Sequence, residues 1–193
     1  MPRSIVLGPL ALLGALAVLA ATAGAAAAPK PISSADAKGD VRSALDLTRV
    51  SVARGRDGRL RASLTLARDW DGNALLAAGG PPGSICVKLW TVSVAPDVPP
   101  DLLACVTATK DAELRGSVLK ERANKLPERV AGAEITRPSA RTVTMRFSQT
   151  AIGRPAKLSF AAETTRPGCP RASCIDTAPD APTTLELVLR KTP

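Results

Sequence analysis

Leu60, Ala62, Leu64 and Leu66 occupy alternate positions, with Arg61, Ser63 and Thr65 between them. A period of two puts the first set on one face of an extended chain and the second on the other, so this run predicts a half-buried β-strand. The run before it, "ALDLTRVSVA", begins in the same way with Leu45 and Leu47 apolar, then shifts phase near Arg49 so that Val50 and Val52 take over. One extra residue in a strand produces such a shift, and a β-bulge is expected there. The two runs are joined by "RGRDGR", with Asp57-Gly58 at its centre, a dipeptide that tolerates the positive φ of a tight hairpin.

Further alternating or apolar runs follow at short intervals. "SICVKLWTVSV" and "LLACVTAT" are separated by "APDVPPD", whose prolines keep it out of any ladder, and read as a hairpin. "RVAGAEIT", "RTVTMRFS", "AKLSFAAET" and "TTLELVLRK" read as strands, with Val143, Met145 and Phe147 on one face of their run and Leu185, Leu187 and Leu189 on one face of theirs. The stretch "DAELRGSVLKERANKLPE" has helical composition in places, but Gly116 interrupts it and Pro127 ends it, leaving a strand or a loop. No repeat of fixed period is visible, and the proline-rich segments 79–82, 96–100 and 178–182 read as loops inside one domain. The expectation is an all-β protein: a single antiparallel β-sandwich of about eight strands over residues 39–193, with 29–38 a flexible leader.

The first 28 residues change the picture of where this domain works. Arg3 is followed by an uncharged apolar stretch and then by "AGAAAAPK", which together read as a secretory signal peptide cut after Ala28 or within the preceding alanines, with an uncleaved membrane anchor over Ile5 to Ala28 as the alternative. Removal would leave 165 residues, enough for one core burying roughly 70% of its unfolded surface. No second apolar segment of membrane-spanning length follows. All four cysteines remain, an even number in an exported chain, which favours two disulfides. Three pairings are possible, and closure of near neighbours across the expected hairpin favours Cys86 with Cys105 and Cys169 with Cys174. Chain entropy assigns these loops about 3 and about 2 kcal/mol. A secreted or extracytoplasmic location, at the cell envelope, is expected.

Charge and chemistry narrow the function classes. Lysine and arginine number 26 against 17 acids, and with Arg3 removed the excess is 25 over 17, or +8. The arginines are scattered, among them Arg42, Arg49, Arg54, Arg56, Arg59, Arg61 and Arg68, with no basic run interleaved with aromatics. Two Trp, two Phe and no Tyr offer few stacking platforms, which argues against nucleic acid as a partner. Histidine is absent, which excludes Ser-His-Asp and Cys-His nucleophile systems and His-ligated zinc. Ser117 and Lys120 have the spacing of a nucleophile and its base on one helical turn, but no companion element accompanies them. "DWDGN", Asp69 to Asn73, resembles the start of a calcium loop but lacks its later ligands, so a turn capped by Asp69 and opened by Gly72 is the preferred reading. Asp36 and Asp40 in "DAKGD" are the remaining candidate calcium ligands, with a structural role at the start of the first strand the preferred reading.

"DxxGD" at Asp36 to Asp40, followed by "LDLTRVSV" and "RLRASLTL", resembles secreted β-sandwich modules related to the DOMON domains and the family-9 carbohydrate-binding modules, over about residues 36–70. The resemblance implies a sandwich fold and, in that group, a sugar- or haem-binding pocket on one sheet. The group's His ligand has no counterpart here, and of the exposed aromatics its sugar binders use only Trp70 and Trp90 are available. The expected function is an exported, non-catalytic binding or structural module with no resident cofactor. Its expected partner is an envelope polysaccharide or another envelope protein. The alternative is a carbohydrate- or cell-wall-binding module using Trp70 or Trp90 with a basic surface, and a small hydrolase with a carboxylate-based site is third.

Overall fold

The computed structural model describes residues 30–39, 41, 43–92, 98–123, 125–169 and 174–189. The expected signal peptide, residues 1–28, and Asp40 lie outside them. Eleven strands follow in chain order: β1 (Ile32–Ala35), β2 (Leu47–Arg54), β3 (Arg59–Leu66), β4 (Ser84–Trp90), β5 (Leu102–Ala108), β6 (Leu114–Lys120), β7 (Glu128–Thr136), β8 (Thr142–Ser148), β9 (Lys157–Thr165), β10 (Ile175–Ala178) and β11 (Leu185–Val188). Hydrogen-bonded neighbours run β1-β2-β3-β8-β7-β6-β5-β4-β9-β10, with β11 also on β9, and every pairing is antiparallel.

This one sheet curls until its ends nearly meet, β2 touching β10 and β1 touching β11. The all-β, antiparallel expectation therefore holds, but the architecture is an almost closed barrel of ten to eleven strands in place of an eight-stranded sandwich. The difference has a local cause in β7. Its residues up to Ala133 pair with β6, and Glu134 to Thr136 pair with β8, so a single strand carries the sheet round the corner where two layers would have parted. Residues 29–38, expected as a leader, contain β1, which pairs with β2 from Ile32↔Val52 to Ala35↔Arg49.

The hairpin β2–β3 forms as its sequence dictates. Gly58 takes φ +74°, Gly55 N–H donates to Arg59 O at 2.7 Å, and the register slips between Leu47 and Arg49 where the phase shift placed a bulge. Leu60, Ala62, Leu64, Val143, Met145, Phe147, Leu158 and Phe160 are fully buried and fill the interior. A buried Leu or Phe of this kind contributes roughly 2 kcal/mol, so the inward face of β3, β8 and β9 supplies much of the drive to fold.

The ends of the sheet are joined by side chains. Leu47 N–H donates to Asp176 Oδ2 at 2.5 Å, and Thr164 Oγ1 donates to Leu45 O at 2.6 Å, with both Asp176 and Thr164 buried. β10 and β11 lie one after the other along the same edge of β9, opposite Ala162 to Thr165 and Lys157 to Phe160 respectively. Both expected disulfides form: Cys86–Cys105 joins directly opposed residues of β4 and β5, and Cys169–Cys174 closes the connection from β9 to β10. No helix among the described residues is long and apolar enough to cross a membrane.

Candidate anion-binding groove

The outward face of β3 and β8 carries the polar residues of the two alternating runs, and their register sets them in rows. In one row Ala53 of β2, Arg61 of β3, Arg146 of β8 and Glu134 of β7 stand side by side. In the next row stand Ser51, Ser63, Thr144 and Thr136. The β2–β3 turn rises beside these rows, and together they enclose a groove of about 760 Å³ lined by Arg54, Arg56, Arg59, Arg61 and Arg146, with Asp57, Ser63, Thr136, Thr144 and Pro138 among the remaining lining residues.

Two of the arginines are held in place. Glu134 Oε2 accepts from Arg59 Nη1 at 3.0 Å and lies 3.5 Å from Arg146 Nη1, while Asp57 Oδ2 accepts from Arg146 Nη2 at 2.7 Å. Arg59 Nη2 also donates to Arg146 O at 3.3 Å. These side chains are half exposed, so each ion pair contributes little to stability, but the shared carboxylates fix the two guanidiniums against the wall. The Arg59 N–H bond to Asp57, followed by the Arg146 guanidinium, holds the Asp57 carboxyl below the usual carboxylate range. Arg56 and Arg61 are exposed and their side chains make no ion pair or hydrogen bond among the described residues. Of the arginines that line the groove, Arg59 and Arg146 share the carboxylates of Asp57 and Glu134, while Arg56 and Arg61 have no carboxylate among the described residues, so the groove keeps a positive excess. Serine and threonine hydroxyls complete the floor, with Ser63 Oγ and Thr144 Oγ1 2.8 Å apart.

The residues singled out in the sequence lie elsewhere. Trp70 is 6% exposed: its indole N–H points to Arg141 O at 3.4 Å, and Arg137 covers the ring at 4.7 Å from its centroid. Trp90 lies on the outward face, as its alternation with Lys88 and Cys86 suggested, yet it is 8% exposed because the chain returning to β5 folds over it and Val98 O accepts its indole N–H at 2.9 Å. Neither ring offers a face for a sugar to stack on, which corrects the expectation of an exposed aromatic platform.

Asp36 is half buried, and its N–H donates to Thr48 O at 2.9 Å as β1 joins β2. Its expected companion Asp40 lies outside the described residues, and among those described no group of three or more His, Cys, Asp or Glu side chains is placed to hold a metal. The turn at 69–73 is capped by Asp71, whose Oδ1 accepts from Asn73 N–H at 2.9 Å, whereas Asp69 pairs with Arg141 at 3.0 Å. Gly72 is required there because a Cβ would run into Ala112 O. Ser117 and Lys120 lie on the strand β6, so the helical turn that would have brought them together does not form.

The arginine groove was missed because its parts are far apart in the chain, Asp57 and Arg146 being 89 residues distant. The legible signal was parity: Arg59 and Arg61 share the polar face of β3, and Arg146 shares that of β8. No protein-family model, curated protein or solved structure matches this chain.

Proposed function

We propose that this protein is an exported, non-catalytic binding module that holds an anionic ligand, such as an acidic polymer of the cell envelope, in the groove on β3 and β8. The convergence of Arg54, Arg56, Arg59, Arg61 and Arg146 on one groove is the observation that carries this reading. Burying or crowding like charges is unfavourable without a counter-ion, and clustered guanidiniums focus a positive potential that attracts anions. Two disulfides suit an oxidising compartment, which supports export. Any role of stacking is disfavoured by the burial of both tryptophans.

The test is retention of the purified protein on immobilised acidic polymer at increasing salt. Arg61→Gln is expected to weaken binding roughly five-fold, the worth of an exposed ion pair of about 1 kcal/mol. It should also reduce the slope of log affinity against log salt by about one. Arg129→Gln, which removes the same charge from an exposed position on β7 outside the groove lining, serves as the control. Equal losses in the two variants would show a general charge effect and refute a groove.

A further inference from the structure

Resting on the reading of the groove as an anion site, we infer that it selects tetrahedral oxyanions, phosphate or sulfate groups carried on a polymer, over carboxylates. Arg61 stands directly across from Arg146 in the β3–β8 register. Like charges so placed destabilise a sheet. Arg146 is relieved by Asp57 and Glu134, but Arg61 has no carboxylate of its own among the described residues. Arg56 is in the same condition and reaches the groove from the β2–β3 turn, so the two uncommitted guanidiniums approach from different elements. A third donor, of a second kind, stands in the neighbouring row. The exposed Thr136 lies opposite Thr144, and its hydroxyl makes no hydrogen bond among the described residues.

A carboxylate presents two oxygens in one plane, and a single guanidinium edge matches both. A phosphate or sulfate monoester presents three oxygens on a tetrahedron, so guanidiniums from two elements and a hydroxyl can each engage an oxygen of the same group. The neutral hydroxyl supplies a contact for the third oxygen without adding a further positive charge to the groove. No aromatic side chain lines the groove, so a polymer held there is gripped through its charged groups and not through stacked rings or bases.

Calorimetric titration of the full chain with dextran phosphate (phosphate monoesters), dextran sulfate and polyglutamate of matched charge, at low salt, tests this. Dextran phosphate or dextran sulfate is expected to bind about five-fold or more tightly than polyglutamate, and Arg61→Gln is expected to abolish that preference. The tighter of the two oxyanion polymers identifies whether the oxyanion is phosphate or sulfate. Equal or tighter binding of polyglutamate, with all three weakened by Arg61→Gln, overturns the tetrahedral preference and leaves the anion groove standing. A preference that survives Arg61→Gln also overturns it. Failure of all three polymers to bind overturns the anion groove itself.

Discussion

Asp57 is the residue on which the arrangement of the groove turns. It caps the hairpin by accepting Arg59 N–H at 3.1 Å and at the same time anchors Arg146 across the sheet. Both contacts favour the ionised form, and its folded pKa is lowered. A carboxylate whose pKa is lower in the folded state stabilises the protein fully above its unfolded pKa, and that contribution is lost as pH falls through the folded value. Asp57→Asn is therefore expected to melt below the wild type at neutral pH, with the two melting curves converging in acid below the carboxylate range. A melting difference that stays constant with pH would assign the effect to the turn geometry alone. A second residue of this kind is Gly116 on β6, directly opposite Ala133 of β7, where a Cβ would meet Ala133 O and Ile135 Cδ1. Gly116→Ala is expected to destabilise by about 1–3 kcal/mol through overpacking, measured by denaturant unfolding.

At the scale of elements, the seam between β2 and the β9–β10 pair is closed by two buried side chains where a backbone ladder would ordinarily run. Asp176→Ala leaves Leu47 N–H without this acceptor inside the protein, at a cost of about 2 kcal/mol. For a domain of this size that corresponds to a fall in Tm of roughly 5 °C, and hydrogen exchange at Leu47 should accelerate more than at Leu64 in the middle of β3. Strands such as β3, β8 and β9 were legible in the sequence because seven to nine residues of alternation leave no other reading. β1 and β10 have four residues each, too few to express a period; β11 is as short but was legible because the alternation of Leu185 and Leu187 continues to Leu189, and β6 was obscured by residues of good helix propensity around Gly116. Alternation also placed Trp90 outward correctly, but a period describes only the strand that carries it and not the chain that later folds over it. The groove needed one further piece of information, that β3 pairs with β8 across more than 70 intervening residues, and the polar faces of the two runs do not encode it.

Across the whole molecule, the covalent links and the arginine face are separated. Both disulfides lie in the half built from β4, β5, β9 and β10, and the groove lies on β2, β3, β7 and β8. Reduction is expected to lower stability by about 3 kcal/mol for the Cys86–Cys105 loop, while polyanion binding well below the melting temperature stays unchanged. Loss of binding on reduction, before any loss of strand signal in circular dichroism, would show that the two halves are coupled.

The short strands at the rim have a consequence of another sort. β1, β10 and β11 each expose at most four residues of backbone, and the chain between β10 and β11 carries Pro179 and Pro182, which cannot donate to a ladder. Among the described residues the two ends of the sheet therefore offer a second molecule no long, flat run of unpaired amides on which to add its own strand, and the remaining open stretch of backbone is the exposed first part of β7, Glu128–Ala133, before its pairing with β8 begins. Concentrated solutions of this strand-rich protein are expected to resist seeded fibril growth, since the nearly closed sheet presents so little template.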